Sequence, residues 1–379
     1  MDQAIAAGLG GLAAGFLSLT PQQAAMIAIG CVLLYLAISR GLEPLLLLPI
    51  GFGAIIVNIP GSGLMAPGGV LRTIYDAGVL TELFPVLIFI GIGAMTDFGP
   101  LLENPRILLL GAAGQFGIFI VLLLALALGF PPLQAISIAI IGAMDGPTAI
   151  YVTSKYAPEL LGAVSVAAYS YMSLVPLVQP PIMRALTTKA EKTIVMPTVR
   201  ATVSKRTKIL FPIVVTIIGS IIAPQGTPLL GTVMLGNLMR ESGVVERLAN
   251  MSANELANIV TLLLGLCIGA TMEGERFLNL QTLTIFALGF LAICLDTVCG
   301  VLFGKLMCAA TGGKINPLIG AAGISAYPMA ARVVQTMGQR YNRRNYLLMH
   351  AMGANTGGQL GSIMAAAIML SVIAGLGIA

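Results

Sequence analysis

The chain has a single histidine, His350, and only 9% of its 379 residues are charged. One imidazole excludes a multi-histidine metal site within one chain, so His350 reads as a helix-packing or interfacial residue. The five cysteines, Cys31, Cys267, Cys294, Cys299 and Cys308, are odd in number and form no C-x-x-C pair. They read as buried free thiols, not as a disulfide framework or a metal site. Asp2 stands where a signal peptide carries its basic segment, so no secretory signal is expected. The basic runs have no interleaved aromatics or motif context, which excludes nucleic-acid recognition.

What the chain has instead is apolar surface. With 57% hydrophobic residues and a mean hydropathy of +0.96, it is expected to be an all-α, polytopic membrane protein with about nine to eleven membrane segments. Twenty basic and fifteen acidic side chains leave a net charge of +5, and the excess lies in loops, where it reports orientation.

Taken in order, residues 4–19 are apolar, Gly-rich and short, which suggests an interfacial or poorly packed opening helix. Spans are expected at 24–38 and 45–59, with a loop and an amphipathic piece over 60–82. Residues 83–183 form a first unit, with apolar runs at 83–95 and 107–130, an interrupted stretch at 133–154, and a span at about 160–177 that ends in the Pro176, Pro180, Pro181 cluster. Residues 184–208 are a polar linker in which Arg184, Lys189, Lys192, Arg200, Lys205, Arg206 and Lys208 face only Glu191, so it is expected on the cytoplasmic side. A second unit, 209–379, repeats the pattern, with spans at 209–223, about 256–272, 281–310 and about 346–378, and an interrupted stretch at 316–337.

The repeat shows in residues. Gly91-Ile-Gly-Ala-Met-Thr96 echoes Cys267-Ile-Gly-Ala-Thr-Met272, and Asp145-Gly-Pro-Thr-Ala149 answers Ala326-Tyr-Pro-Met-Ala330. The span at 160–177 ends at the basic linker, whereas the last span begins after Arg340, Arg343 and Arg344. Equivalent helices of opposite direction imply two inverted-topology repeats whose broken helices meet near the midplane, the usual place of a transporter site.

The chemistry concentrates at Gly142–Tyr151, GAMDGPTAIY. A carboxylate at membrane depth costs ~3 kcal/mol or more and faces an ion path or a partner. Gly146-Pro147 is expected to break the helix there and free backbone carbonyls. With the Thr148 hydroxyl, Asp145 then supplies hard oxygen ligands for a small monovalent cation or a proton relay. The alternative is a structural Pro kink with Asp145 paired to a distant Arg. In the second stretch, Asn316-Pro317 is a helix start. Gly320 is one turn on, Ser325 sits just before the Pro328 break, and Arg332 lies one turn past it. Asn316 and Ser325 would add neutral oxygens opposite Asp145. Arg332 would hold a carboxylate by two parallel hydrogen bonds, unless it is a topological charge at the membrane interface. Tyr171 lies near the middle of its span, where its hydroxyl needs a partner. Asn355, between Gly353 and Gly357, is a third oxygen donor or a helix-packing amide. The residues alone lead to a sodium- or proton-coupled transporter of a small anion.

At these stretches the sequence resembles the β subunit of the sodium-pumping, biotin-dependent decarboxylases, a family covering oxaloacetate, methylmalonyl-CoA, glutaconyl-CoA and malonate decarboxylases. The resemblance rests on GAMDGPTAIYVTSKYAPELLGA, SYMSLVPLVQPPIMRALTTK, NLMRESGVVERL, NPLIGAAGISAYPMAARVVQ and LLMHAMGAN, and runs from about residue 83 to 365. Two departures stand out: many relatives have Gly-Ala-Asp where Ala143-Met144-Asp145 stands, and Thr356–Gly361 falls in a variable segment. The resemblance implies a bacterial cytoplasmic (inner) membrane protein that works in a complex. Its implied partners are a biotin carrier protein, a carboxyltransferase α subunit and a small membrane subunit, with a trimeric arrangement of the β subunit itself. It also implies the cofactors, sodium ion and carboxybiotin carried on a partner, and the reaction, decarboxylation coupled to sodium export and proton uptake. The implied roles are Asp145 as sodium ligand and proton-exchange group, Tyr171 as an aid to coupling, Asn316, Gly320 and Ser325 on the ion path, Asn355 as a further ligand, and Arg332 on the carboxybiotin carboxylate. A sodium-coupled carboxylate carrier of similar inverted-repeat build is the rival reading.

Overall fold

The computed structural model describes residues 18–197 and 203–377. The opening helix expected over 4–19 lies almost wholly outside them. Every regular element among the described residues is helical. In chain order the main helices are α1 (Pro21–Arg40), α2 (Pro44–Val57), α3 (Leu83–Met95), α4 (Leu108–Ala113), α5 (Phe116–Ala127), α6 (Pro132–Ala139), α7 (Gly146–Tyr156) and α8 (Leu161–Leu186). The second half contains α9 (Lys205–Ile222), α10 (Thr227–Ser242), α11 (Ala257–Ala270), α12 (Leu280–Ala310), α13 (Met329–Tyr341) and α14 (Leu348–Leu376). Among the described residues six helical segments are long and apolar enough to cross a membrane, and a seventh if Val70–Val79 and α3, bent by 62°, count as one span. Pro44–Val57 and Pro132–Ala143 are shorter apolar helices.

Local chemistry sets the ends. Thr20 and Gln23 form a reciprocal capping box before α1, which closes on Gly41 in the left-handed region. Ser204 caps α9 through Thr207 N, and Asn279 caps α12 through Thr282 N. The span expected over 107–130 is present as Pro105–Ala127, with a turn at Gly114 and Gln115 between α4 and α5. One expectation is corrected. The span at 160–177 does not stop at its prolines: α8 runs through Pro176, Pro180 and Pro181 to Leu186. Each proline removes one donor from the helix ladder, and the surrounding helices tolerate the freed carbonyls. Cys31 is also exposed, not buried, on the outer side of α1.

α12 and α14 organise the middle of the molecule. α12 packs against α8, the tight turn Ile140–Ala143 and the tight turn Pro317–Ala322. α14 packs against α4, α7, α13 and the same Pro317–Ala322 turn. Both interrupted stretches are therefore held between the same two long helices. The α12 contact requires glycine: a Cβ on Gly300 or on Gly320 would strike the other residue's carbonyl. α2 packs on α11, and α3 on α10, alongside this centre.

Candidate functional site

The first interruption differs in detail from the sequence reading. Gly146-Pro147 does not break a helix; it starts one. α6 tightens into the 3-10 turn Ile140–Ala143, Met144 turns the chain with φ 50° in the left-handed region, and Asp145 is the extended N-cap of α7. The reason is positional, since proline fits the first turn of a helix, whose N–H groups have no ladder partner, and aspartate is among the best N-caps. The carboxylate consequently sits on the positive end of α7. Asp145 Oδ1 accepts from Thr148 N at 3.4 Å, and Oδ2 accepts from Thr148 Oγ1 at 2.7 Å. Asp145 is buried, and next to it Gly146 leaves only enough room for the Tyr169 ring.

The second interruption comes to the same place through α14. Asn316 caps the turn Pro317–Ala322, and residues 323–328 lead without helix into α13. Ser325 Oγ donates to Gly358 O at 3.0 Å and lies 2.6 Å from Ser362 Oγ. Ser362 Oγ in turn donates toward Asp145 Oδ2 at 3.3 Å. An unbroken run of oxygens thus joins the two breaks: Thr148, Asp145, Ser362, Ser325. Asn355, two turns before Ser362 on α14, donates through Nδ2 to Ile324 O at 2.5 Å, and its buried Oδ1 has no partner among the described residues. Gln115, in the α4–α5 break, donates to Gly323 O at 3.0 Å and Gly358 O at 3.3 Å and leaves its Oε1 equally unpartnered.

The other expected site residues lie elsewhere. Asn316 has both ends of its amide committed: Oδ1 accepts from Leu318 N at 3.0 Å, and Nδ2 donates to Ile194 O at 2.8 Å and Lys192 O at 3.3 Å. Gly320 is the close-approach point against Gly300. The Tyr171 hydroxyl donates to Phe286 O on α12 at 2.6 Å, with its ring edge-on to Phe290. Tyr169, which the sequence analysis did not single out, is the tyrosine beside Asp145, and its hydroxyl is buried without a partner among the described residues. Arg332 is exposed on α13 and lines a cavity of about 360 Å³ with Pro176, Pro180, Thr336 and Arg340. Its guanidinium has no hydrogen-bond or ion-pair partner among the described residues.

The basic linker closes this region on one side. Thr188 and Glu191 form a capping box, and Lys305, near the end of α12, pairs with Glu191 at 3.6 Å and donates to Leu186 O at 3.0 Å. Burial works against ionisation of Glu191, but hydrogen bonds from Thr188 and the Lys305 ammonium outweigh it and hold this carboxyl below the usual range. Asn345, just before α14, donates to Lys192 O at 3.3 Å. The end of α8, the linker and the start of α14 therefore share one face.

This arrangement can be compared with known proteins. The family model described as the Na+-transporting oxaloacetate decarboxylase beta subunit matches residues 22–373. The glutaconyl-CoA decarboxylase subunit beta of Acidaminococcus fermentans is 54% identical over 361 residues, covering 95% of this chain and 96% of that one. The methylmalonyl-CoA decarboxylase subunit beta of Veillonella parvula is 55% identical over 359 residues, covering 95% of each chain. The oxaloacetate decarboxylase beta chain of Klebsiella pneumoniae is 48% identical over 420 residues, covering 95% of this chain and 97% of that one. A buried carboxylate joined by hydroxyls to both interrupted stretches, in a multi-pass chain matched almost end to end by these relatives, leads to one conclusion: the protein belongs to the β-subunit family of the Na+-transporting decarboxylases and is a membrane subunit of a decarboxylase complex.

Proposed function

We propose that this subunit decarboxylates carboxybiotin presented by a biotin carrier partner and couples the reaction to sodium export with proton uptake. The observation that carries the reading is the oxygen run from Thr148 through Asp145 and Ser362 to Ser325, which ties one carboxylate to both broken helices. The donor set fits sodium. It offers one carboxylate, hydroxyls and the buried Asn355 Oδ1, which has no partner among the described residues, all hard oxygens. A proton on Asp145 removes the charge that sodium needs, so the two ions compete for the same group.

The Arg332 cavity fits the anionic group. Arg332 carries a guanidinium without a partner among the described residues, and the Pro176 and Pro180 rings line the cavity beside it. Carboxybiotin, when presented, supplies a labile N–carboxylate whose loss as CO2 leaves a basic ureido nitrogen. Arg332 would orient that carboxylate by a bidentate contact, and Arg340, two turns along α13, would extend the positive wall toward the cavity mouth. Ser325 and Arg332 lie on opposite sides of the Pro328 bend, so movement of that bend would carry information from the cavity to the cation. The shared face of the α8 end, the linker and the α14 start supports the inverted relation of the two halves, 83–183 and 209–379. A carboxyltransferase α subunit, a small membrane subunit and a trimeric β core complete the proposed assembly.

The test is the purified complex assayed with and without sodium. Asp145→Asn is expected to abolish sodium-stimulated decarboxylation and sodium uptake into proteoliposomes, and avidin to abolish turnover of the wild type. Sodium export at the wild-type rate by the variant, or avidin-resistant turnover, would end the proposal.

A further inference from the structure

α7 and α8 are joined by the short turn at 157–160 and pack against each other in opposite directions. They meet beside Asp145: a Cβ on Gly146, the next residue, would strike the Tyr169 ring and hydroxyl. From that contact both helices lead to the turn. On α7, Thr153 follows Gly146 at i+7; on α8, Ser165 and Gly162 precede Tyr169 at i−4 and i−7, so each set shares one helix face. Each stretch covers roughly 10 Å at the helical rise of 1.5 Å per residue. Thr153 and Ser165 are 0% exposed and Tyr169 is 1% exposed. None of the three hydroxyls has a hydrogen-bond partner among the described residues. A hydroxyl inside a helix ordinarily donates to a carbonyl of its own turn, as Ser154 does to Tyr151 O at 3.1 Å and Ser173 to Tyr169 O at 3.4 Å. A buried hydroxyl without any such bond carries an uncompensated desolvation penalty, and three of them on facing helices mark a place for polar occupants.

Gly162 ends the face in a cavity of about 590 Å³, where a Cβ would stand 2.8 Å from Thr271 Oγ1 of the cavity wall. Glu159 and Glu273 line the same cavity. Arg72, the one cationic side chain lining it among the described residues, is paired with Asp76 at 2.8 Å, so the mouth is acidic. It lies at the Pro158 end of α8, whereas the basic linker follows the other end, 26 residues or about 39 Å of helix away. The two ends therefore open on opposite sides of the membrane. We infer that the α7–α8 seam is the path by which sodium leaves Asp145, past the hydroxyls of Tyr169, Ser165 and Thr153 to the acidic cavity at Gly162. Hydroxyl oxygens replace part of the hydration shell of a hard cation. Being neutral, they hold it too weakly to retain it, as conduction requires. The carboxylates of Glu159 and Glu273 then draw the ion forward into the cavity.

This path presupposes Asp145 as the cation ligand, and the experiment distinguishes failure of the one from failure of the other. Equilibrium binding of radioactive sodium to the purified complex, and its transport into proteoliposomes, are measured in wild type, in Asp145→Asn and in a variant combining Thr153→Val with Ser165→Ala. The double variant removes two hydroxyls and adds no bulk. Its transport rate is expected to fall about tenfold while sodium affinity stays at the wild-type value. Wild-type transport, or an affinity that falls as far as the rate, overturns the path and leaves Asp145 in place. Wild-type sodium binding by Asp145→Asn overturns both. Should the double variant fail to assemble, Ser165→Cys decides, with silver ion, a monovalent cation close to sodium in size, trapped in the lumen on the Pro158 side. Silver is expected to stop turnover of Ser165→Cys at concentrations that leave the wild type active, and equal sensitivity of the two overturns the path.

Discussion

At the scale of single residues, the site is built from groups whose second hydrogen-bonding capacity is left over. Ser362 is the link between Asp145 and Ser325, and it was not legible in the sequence, because a serine in a Gly- and Ala-rich helix is ordinary packing until its neighbours are known. Asp145 was legible, since a carboxylate in an apolar run is costly wherever it is placed. Ser362→Ala removes one hydroxyl ligand worth ~1–2 kcal/mol, so the sodium concentration for half-maximal turnover should rise about tenfold with the maximal rate largely kept. A sodium titration of decarboxylation checks it, and an unchanged midpoint would remove Ser362 from the ligand set. Arg332→Lys loses the planar fork but keeps the charge, and should impair use of carboxybiotin more than sodium affinity. Equal loss of both would contradict the separation of cavity and cation.

At the scale of elements, the interruptions obey capping chemistry more closely than breaker chemistry. Gly-Pro signals a break, but whether it ends one helix or begins the next depends on the residue before it, and Asp145 as N-cap decides for the latter. Met144 carries the positive φ that this requires. Met144→Gly should relieve ~1 kcal/mol of backbone strain but empty the space of a fully buried side chain at a cost of ~2–5 kcal/mol, so the midpoint of thermal inactivation should fall, and a higher midpoint would mean that the strain outweighs the packing. Asn316 shows the converse limit: its position as a cap was readable, its partner was not, because the linker carbonyls of Lys192 and Ile194 lie more than 120 residues away in the chain. Asn316→Ala should loosen the linker, exposing 188–197 to protease while sodium affinity falls little. A loss of sodium affinity with an unchanged cleavage pattern would instead make Asn316 an ion ligand. The Glu191–Lys305 pair contributes to the same anchorage. Since the Glu191 carboxyl is held low, its contribution is present above the ordinary glutamate range and lost as pH falls through the depressed value. Linker cleavage should accordingly increase in acid, and Glu191→Gln should show that increase already at neutral pH.

At the scale of the whole molecule, two long helices hold two broken ones. The all-α, multi-pass character followed directly from composition, and the approximate place of every long helix from its apolar run. That α12 and α14 each touch both interruptions could not be read from the chain, because neither helix carries a pattern that names its neighbours. The arrangement gives the proposed coupling a mechanical basis: Ser325 and Ser362 belong to the second half, Asp145 and Thr148 to the first, and a cation held between them would join the halves. Thallium, a monovalent cation with strong anomalous scattering, locates such a site directly in crystals of the complex. The account predicts one peak bounded by Asp145, Ser362 and Asn355 that vanishes in Asp145→Asn; a peak confined to other residues, unchanged in that variant, would contradict it.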